Sequence, residues 1–452
     1  MKGNSILILF LMLLVSCGKG ILESNSAPKT NDQLGVIASC TTRSQATAIA
    51  KETGTMFRVI NEKRGLIEFI GLSESELKDL LPKSKFKANK IYEDILIETS
   101  EEFSAKNIPN TQFYGAHSPE YRHSGVGRFF PHLDQIGALS SNQHLGAGIT
   151  IAVIDTGVYY NHPHLSPNIK TNESDRHGNQ GNYFDDDGNG FTDDYVGWDF
   201  YNGDAYPIDD NGHGTHVAGL AASTYMGVAP MAKILPVKVL SSRGSGDLGT
   251  ITAGILYAID MDADIINLSL GGPGSSNISS EIAELVNSVK LAKANNALVV
   301  SAAGNGGSDG LGDCNDANPI YPANINEDNM LTVASVDAYN ELTSYSNFGE
   351  ESVHIAAPGG DQNTGALNST AIAYCSGRCT QNDVAYVGMS GTSMATPIVS
   401  GLAAVVLAAK PELTPKEVKE IIINNGIAFE NLEGVVQSGK VINAQNIFHQ
   451  FF

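Results

Sequence analysis

Hydrophobic and polar residues alternate in two different ways along this chain, and the change falls near residue 130. Between residues 35 and 98, short apolar runs and amphipathic stretches follow the order strand, helix, strand, strand, helix, strand. This order is typical of a small ferredoxin-like α+β domain, a fold that serves many unrelated functions. The predicted elements are strands at Gly35–Ser39, within Phe57–Ile70 on both sides of a turn at 61–65, and at Lys90–Ile97, with helices at Ser44–Thr53 and Ser73–Leu81.

From about Ile136 onward, apolar runs without polar alternation are separated by helical stretches. Such runs are typical of strands that are buried on both faces. We therefore predict an α/β fold in which a parallel sheet is flanked by helices on both faces. The predicted strands are Ile149–Ile154, Lys233–Leu240, Ile265–Leu270, Leu298–Ala302, Met330–Ser335 and Val353–Ala356.

The first residues form an export signal rather than part of a domain. Lys2 precedes the apolar run Ile6–Val15, which is too short to span a bilayer and is typical of a signal-peptide core. The run ends in Leu14-Val15-Ser16-Cys17, which resembles a bacterial lipobox. The resemblance implies a lipoprotein signal peptide over residues 1–16, lipidation of Cys17 and an exported protein held at the cell envelope. A plain signal peptide followed by an unrelated cysteine is the alternative.

Composition and charge divide the rest of the chain. Residues 17–34 and 99–130 are polar and irregular, which predicts a tether below the lipid and a linker that contains a processing region. The larger domain is predicted over residues 131–435, followed by a C-terminal tail at 436–452. The net charge is −21, and residues 18–105 are nearly neutral, so the larger domain carries the acid excess. Such a charge repels nucleic acid, and we expect no nucleic-acid partner.

Four cysteines follow Cys17, and export permits disulfides between them. Only Cys375 and Cys379 are close in sequence, and a bridge between them would close a small loop; the spacing leaves the paired and the free state open. None of the spacings resembles a zinc site. The four residues are Cys40, Cys314, Cys375 and Cys379.

Three segments each present one polar residue where a strand or a glycine-rich turn ends. Asp155 directly follows apolar strand residues, so it is either a helix N-cap or part of a site. His213 stands between two glycines at a predicted helix start. His213 and His216 have a spacing that could suit a metal site, but neither has the neighbouring Glu that a metallopeptidase requires. Ser393 opens another helix among small residues, either as a cap or as a nucleophile facing converging backbone N–H groups.

These segments read Asp155-Thr-Gly, His213-Gly-Thr-His and Gly391-Thr-Ser-Met-Ala-Thr-Pro, in that order along the chain. Together they resemble the three signature segments of the subtilisin-like serine proteases, peptidase S8. The resemblance covers roughly residues 130–430 and implies a serine endopeptidase that works by acyl transfer. In that mechanism His213 removes the proton of Ser393, while Asp155 holds the imidazole in the useful tautomer.

The resemblance also assigns the groups that would bind the substrate. Val299–Gly306 resembles the family segment in which Asn305, with the backbone N–H of Ser393, binds the tetrahedral oxyanion. A turn asparagine after a strand is the alternative for this residue. The segment from Ser269 resembles one that pairs with an extended protein or peptide substrate as an added strand. The substrate-binding residues implied are Ser269, Leu270, Gly271, Ala302 and Gly304.

Subtilisin-like proteases are commonly made with an inhibitor I9-like pro-domain of ferredoxin-like shape, which assists folding and inhibits the enzyme until it is cleaved. The resemblance gives residues 35–98 this role, so that the enzyme's first partner would be its own pro-domain. Because Cys17 lies on the pro-domain side, cleavage within 99–130 would release the protease from the membrane unless both parts stay associated.

An acidic segment at 185–194 places oxygen ligands at alternate positions, with Gly190 where an EF-hand-like loop turns sharply. The twelfth position is Val196 rather than Glu, so Asp194 or a distant residue has to complete the shell. We predict a structural calcium ion here, and the alternative is a solvated acidic loop. The predicted ligands are Asp185, Asp187, Asn189, Phe191 through its carbonyl oxygen, Asp193 and Asp194.

Two other functions stay open at this stage. The protein could be a binding or maturation partner that keeps a protease shape without turnover, although the intact Asp155, His213 and Ser393 argue against it. It could also be a processing enzyme that acts on one partner at the cell surface rather than a digestive enzyme, which a lipid anchor would favour.

Overall fold

This computed structural model describes strands within residues 35–98 and the ranges 130–138, 145–175, 181–274, 282–307, 309–372 and 385–451. The strands are β1 Gly35–Ser39, β2 Met56–Asn61, β3 Leu66–Ile70, β4 Ile91–Glu93, β5 Leu96–Glu98, β6 Thr150–Asp155, β7 Trp198–Asp199, β8 Lys233–Lys238, β9 Ser245–Asp247, β10 Ile265–Leu268, β11 Gly272–Pro273, β12 Leu298–Ala302, β13 Ile320–Tyr321, β14 Met330–Val336, β15 Ile355–Pro358, β16 Leu367–Ala371, β17 Ala385–Met389, β18 Ile427–Ala428 and β19 Lys440–Val441. The helices are α1 Pro131–Gln135, α2 His213–Ala222, α3 Leu248–Asp260, α4 Ala283–Ala294, α5 Thr392–Ala409, α6 Pro415–Asn425 and α7 Ala444–Phe451.

A nine-stranded sheet forms the centre of the larger body, in the order β18-β19-β15-β14-β12-β10-β6-β8-β7. Its neighbours pair in parallel except β18 and β19. Every residue of β6, β10, β12 and β14 is buried, which is the reason for their uninterrupted apolar runs. The six predicted strands coincide with β6, β8, β10, β12, β14 and β15, which confirms the predicted α/β architecture.

Helices cover both faces of this sheet. Ile151 and Val153 of β6 pack into one core with α2 and α5, whereas Ala152 and Ile154 pack into the other core with α3 and α4. This split follows from the alternation of side chains along a strand. Helix α5 is long and apolar enough to cross a bilayer, but 89% of it is buried inside this body, so it is a core helix.

The strands before residue 94 form a separate four-stranded antiparallel sheet in the order β2-β3-β1-β4. The predicted strand at Lys90–Ile97 is in fact two strands: β4 belongs to this sheet, and β5 pairs antiparallel with β9 of the larger body. The prediction of a single continuous strand is therefore wrong, because the hydrogen-bond partners of β5 lie in the larger body. The predicted helices at 44–53 and 73–81 lie outside the described residues, apart from the helical, buried Ala50.

Residues 440–451 belong to the larger body rather than to a tail. β19 pairs with both β15 and β18, and Ala444 and Ile447 of α7 are fully buried in the core that contains α5. The predicted signal peptide, Cys17, the predicted tether and the predicted linker up to residue 129 lie outside the described residues, as do Cys40, Cys375 and Cys379. Cys314 is a free, partly buried cysteine.

Candidate active site

The end of β6 and the start of α2 bring Asp155 and His213 into contact. Nδ1 of His213 lies 2.6 Å from Oδ1 of Asp155, and both side chains are buried. Gly214 makes this approach possible, because a Cβ atom at that position would lie 2.1 Å from the carbonyl oxygen of Gly157. The glycine after His213 is thus required by the packing of the helix against the strand end.

Asp209 holds the segment that leads into α2, and sequence analysis missed it. Its buried carboxylate accepts hydrogen bonds from the backbone N–H groups of Asn211, Gly212 and Thr215, at 2.9 to 3.0 Å. It also accepts from the hydroxyls of Thr156 at 2.9 Å and Thr215 at 2.5 Å, so it connects the residue after Asp155 to the helix that begins with His213. Burial raises the pKa of Asp209, and these donated hydrogen bonds oppose the rise. An aspartate three residues before a turn glycine, in Asp209-Asp-Asn-Gly212, was the available signal.

Lys238 supports the same corner from the neighbouring strand. It lies at the end of β8 and is 1% exposed. Its Nζ donates to the carbonyl oxygens of Thr156 at 2.7 Å and Leu240 at 2.9 Å, and to Oδ1 of Asp210 at 2.7 Å. A buried ammonium group is tolerated only with such compensation, so Lys238 fixes the backbone beside Asp155.

Ser393 lies in the first turn of α5, and its side chain is 3% exposed. Its Oγ donates to the carbonyl oxygen of Ser269 at 3.1 Å, and Oγ of Ser269 donates to the carbonyl oxygen of Ser393 at 2.9 Å. Asn267 continues this connection, since its Nδ2 donates to Oγ of Ser269 at 3.0 Å and its Oδ1 accepts from Ser400 at 2.8 Å. The end of β10 and the start of α5 are thus held together.

Asn305 is positioned by the residue that precedes Ser393. Oδ1 of Asn305 accepts two hydrogen bonds from Thr392, one from its backbone N–H at 2.9 Å and one from its side-chain hydroxyl at 2.8 Å. The same hydroxyl oxygen accepts the N–H of Gly304 at 3.2 Å. Because its oxygen is used in this way, the amide N–H bonds of Asn305 are the groups that the side chain can offer to a substrate oxygen beside Ser393.

The remaining predicted substrate-binding residues lie at the ends of two neighbouring strands. Ala302 is the last residue of β12 and is buried, and Leu270 follows β10 and contributes to the core. β10 and β12 pair in parallel, so these residues and Gly271 are at the same edge of the sheet. The structure therefore collects the predicted catalytic and substrate-binding segments at one sheet edge, where α/β folds place their sites.

His216, the second histidine of the motif, has a structural role. It is fully buried, and its Nε2 donates to the carbonyl oxygens of Leu367 at 3.0 Å and Val387 at 3.1 Å, one on each strand of the β16–β17 pair. Burial lowers the pKa of His216 to about 3, so the ring is neutral.

The comparisons with known proteins agree with this geometry. Residues 146–445 match the Subtilase family. The chain belongs to the subtilase family. A thermophilic serine proteinase of Bacillus sp. (strain AK1) is 35% identical over 308 residues, which cover 67% of this chain and 60% of the relative. Thermitase of Thermoactinomyces vulgaris is 36% identical over 265 residues, 57% of this chain and 74% of thermitase.

A cold adapted subtilisin-like serine proteinase is similar in structure, with a TM-score of 0.51 and 27% identity. The alignment covers 67% of this chain and 91% of that protein, and it shows the subtilisin-like fold of the larger body. The subtilase spans about 60% of the length of its Bacillus relative.

A second cluster of this subtilase lies in the acidic loop before α2. Carboxylate oxygens of Asp175, Asp185 and Asp187 all lie within 4.8 Å of one another. Asp185 and Asp187 were predicted as ligands, whereas Asp175 was missed, because no spacing in the sequence connects it to the motif. Oxygen-only donor sets of this kind are the ones that calcium prefers.

The other predicted ligands have contacts of their own within the loop. Asp193 accepts the N–H groups of Asn182 and Tyr183, each at 2.8 Å. Nδ2 of Asn189 donates to Asp187 at 3.3 Å and to Asp194 at 3.0 Å. The structure therefore does not bring Asp193 into the carboxylate cluster, and Asn189 borders that cluster.

Asp194 and Phe191 anchor the loop to the body. The buried carboxylate of Asp194 accepts from the hydroxyl of Tyr257 at 2.7 Å and from Nδ2 of Asn172 at 2.6 Å. Burial raises the pKa of Asp194 to about 6. The ring of Phe191 packs edge to face against Trp198 and Tyr257, with ring centroids 5.1 and 4.9 Å apart.

Proposed function

We propose that this subtilase is a serine endopeptidase that hydrolyses peptide bonds through Asp155, His213 and Ser393. The observation that carries the proposal is the buried contact of 2.6 Å between Nδ1 of His213 and Asp155, at the start of α2, which packs against α5, the helix whose second residue is Ser393. With its Nδ1–H donated to Asp155, the imidazole has Nε2 as its basic atom.

In the proposed reaction, Oγ of Ser393 attacks the peptide carbonyl carbon while its proton passes to Nε2 of His213. The peptide C–N bond then breaks, and His213 gives that proton to the leaving amine. A water molecule next attacks the acyl-enzyme ester with His213 again as the base, which releases the acid and restores Ser393. The N–H groups of Asn305 and Ser393 would stabilise the oxyanion in both steps.

Active-site labelling tests this proposal directly. A fluorophosphonate should label the wild type at Ser393, with loss of labelling in Ser393→Ala and in His213→Ala. Ser438→Ala, in the turn before β19, is the matched control and should label normally. A folded wild type that takes no label and cleaves no peptide would contradict the proposal and favour a binding protein.

We further propose that residues 35–98 are an I9-like, ferredoxin-like pro-domain that inhibits the enzyme. The four antiparallel strands and their order β2-β3-β1-β4 support this shape. β2 contacts α3, and β5 pairs with β9 from Leu96↔Asp247 to Glu98↔Ser245 and also contacts β11, which follows Gly271. A segment added to the cleft as a strand would exclude a peptide substrate.

Intact mass after folding tests the pro-domain proposal. Wild-type protein should lose its N-terminal part, whereas Ser393→Ala should keep it and should show no activity. N-terminal sequencing of the mature wild type would locate the cut within 99–130. Removal of the same segment in Ser393→Ala, without any added protease, would contradict self-processing.

We also propose export through the signal peptide 1–16 and lipid attachment at Cys17, with self-processing that releases the mature protease from the cell envelope. Growth with a labelled fatty acid should label the full-length precursor and not Cys17→Ser. After processing, the label should stay with the N-terminal fragment. A mature polypeptide that carries both the lipid and Ser393 would contradict the release.

Finally, we propose that the acidic loop binds a structural calcium ion. The cluster of Asp175, Asp185 and Asp187 supplies hard oxygen ligands on one site, and these carboxylates repel one another without a cation. Asn189, Phe191, Asp193 and Asp194 stay the predicted candidates for completing the shell. The ion would stabilise the loop and has no part in the acyl transfer.

A further inference from the structure

A two-stranded ribbon leads into the segment that carries Ser393. Its strands β16 and β17 pair antiparallel, from Leu367 opposite Met389 to Ala371 opposite Ala385. β17 ends at Met389, four residues before Ser393. Because a ribbon of two strands is at best marginally stable alone, its contacts with the larger body determine where it lies.

The first turn of α2 makes two of these contacts. Oγ of Ser369 donates to the carbonyl oxygen of His216 at 2.7 Å. Oγ1 of Thr370 donates to the carbonyl oxygen of Thr215 at 2.8 Å. All four residues are fully buried, and the two acceptors lie two and three residues after His213, which begins the helix. The two ribbon hydroxyls, those of Ser369 and Thr370, therefore hold the turn that carries the proposed base.

His216 joins the same two elements in the opposite direction. Its Nε2 donates to the carbonyl oxygens of Leu367 in β16 and Val387 in β17, at 3.0 and 3.1 Å. Gly219, one turn further along α2, allows the close approach, because a Cβ atom there would lie 2.2 Å from each of the ribbon hydroxyls. Hydrogen bonds thus run both from the ribbon to α2 and from α2 to the ribbon.

The start of β17 is held by a different part of the body, the segment after β6. Nε2 of His162 donates to the carbonyl oxygen of Ala385 at 3.2 Å, and the hydroxyl of Tyr386 is hydrogen-bonded to Nδ1 of His164. The ring of Tyr386 also packs against the ring of His162, with centroids 5.8 Å apart. This second anchor means that the ribbon keeps its place when its contact with α2 is weakened.

We propose that Ser369 and Thr370 are positioning residues that set the distance between Oγ of Ser393 and Nε2 of His213. This inference rests on the proposed endopeptidase function and adds to it two residues that act through α2. The ribbon leads to Ser393 and is hydrogen-bonded to the turn that carries His213, so its hydroxyls fix these two groups relative to each other. Proton transfer depends on this separation, and a misplacement of about 1 Å can lower a rate about 10²-fold.

Removal of the ribbon hydroxyls tests the inference in the mature enzyme. Thr370→Val and Ser369→Ala should each lower kcat by about tenfold, and the double variant by about 10²-fold. KM should stay within a factor of about two, because the change affects the reacting groups and not uniform substrate binding. Thr370→Ser keeps a hydroxyl donor and should recover kcat to within about threefold of the wild type. Steady-state kinetics on a peptide nitroanilide, per active site titrated by complete fluorophosphonate labelling, measure these values.

Ser288→Ala is the matched control for the loss of a buried hydroxyl. Oγ of Ser288 in α4 donates to the carbonyl oxygen of Leu285 at 2.7 Å, and Ser288 is 1% exposed. This variant should lose stability in urea as Ser369→Ala does, but its kcat per active site should equal that of the wild type. The acid limb of the pH profile of kcat/KM should keep its midpoint in all these variants, because the contact of His213 with Asp155 is retained.

The outcomes separate this inference from the function on which it rests. An active, labelled wild type together with an unchanged kcat in the double variant would overturn the positioning role alone. A rise in KM without a fall in kcat, or a shifted acid limb, would also overturn it, since the hydroxyls would then act on substrate binding or on the Asp155 contact. A wild type that takes no label and cleaves no peptide would overturn the proposed function as well.

Discussion

Two groups of aspartates in this subtilase are held in opposite ways. Asp155 and Asp209 are buried at the meeting point of β6 and α2, where each accepts hydrogen bonds from several directed donors. Asp185 and Asp187 lie in a more exposed loop, where their carboxylates accept N–H groups of that same loop and approach Asp175.

The difference shows which of the two regions depends on a bound ion for its stability. At the strand ends, Thr156, His213 and Thr215 donate hydrogen bonds to the carboxylates of Asp155 and Asp209, so these carboxylates are fixed by the fold alone. In the loop the carboxylates lie close together, and their mutual repulsion is relieved best by a bound cation. We therefore expect the same chemical change, Asp to Asn, to affect catalysis in the first region and metal-dependent stability in the second.

Asp155→Asn should give the largest effect. The amide cannot hold the tautomer of His213 that leaves Nε2 basic, and the expected loss in kcat is about 10⁴-fold. Steady-state kinetics on a peptide nitroanilide would measure this loss. Asp187→Asn carries the same substitution in the loop, and with calcium present its kcat should stay within a factor of about two. Equal losses in the two variants would remove the distinction between the regions.

Asn305→Ala should give the second-largest loss of activity. Loss of one oxyanion donor is expected to lower kcat by about 10² to 10³-fold, a magnitude known from subtilisin itself, with little change in KM. The pairing with Thr392 predicts that Thr392→Val, which removes one of the two hydrogen bonds to Oδ1, loses less activity. A rise in KM without a change in kcat would instead indicate a role in substrate binding.

Asp209→Asn tests whether a buried carboxylate away from the reacting atoms positions His213. The amide cannot accept all five hydrogen bonds, so the start of α2 should shift and kcat should fall by about 10²-fold. Urea unfolding in the Ser393→Ala background would show the accompanying loss of stability, about 1–3 kcal/mol. A stability loss with unchanged kcat would leave Asp209 a purely structural role.

Calcium removal should lower stability through the acidic loop and not through the aspartates at the meeting point of β6 and α2. At free calcium about 100 times the dissociation constant, binding should add about 2.7 kcal/mol to the free energy of unfolding. Unfolding of Ser393→Ala with calcium and with a chelator would measure this difference. It should be strongly reduced in Asp185→Asn and kept in Asp209→Asn. A difference that survives Asp185→Asn would place the ion elsewhere.

The smallest effect concerns Asp199 at the end of β7. Burial raises its pKa to about 6, with hydrogen bonds from Asn202 opposing the rise. Since the folded pKa lies above the unfolded value, the folded state binds the proton more tightly, and the free energy of unfolding should decrease from about pH 4 to pH 6. The contribution is of the order of 2 kcal/mol. Asp199→Asn should reduce the slope in urea unfolding between pH 4 and pH 7, to which Asp194 also contributes, and an unchanged slope would contradict the contribution of Asp199.

Much of the larger body was predictable from the sequence for a simple reason. Strands that are buried on both faces leave long apolar runs, and β6, β8, β10, β12, β14 and β15 all coincide with predicted strands. The catalytic candidates also follow these strands or begin helices, so their surroundings are encoded by neighbours in the chain. The split of the last N-terminal strand into β4 and β5 was not predictable in this way, because β5 pairs with a segment far along the chain.

By itself, the sequence determined the fold class and predicted Asp155, His213, Asn305 and Ser393 as the catalytic candidates, since each lies in a motif whose neighbours set its local backbone. Only the tertiary structure decided which distant residues support them. Asp209, Lys238 and Asp175 act through contacts that strand pairing and helix packing create, and no spacing along the chain encodes such contacts. The physical reason is that short-range patterns fix periodicity and turns, whereas long-range contacts depend on how the whole core packs.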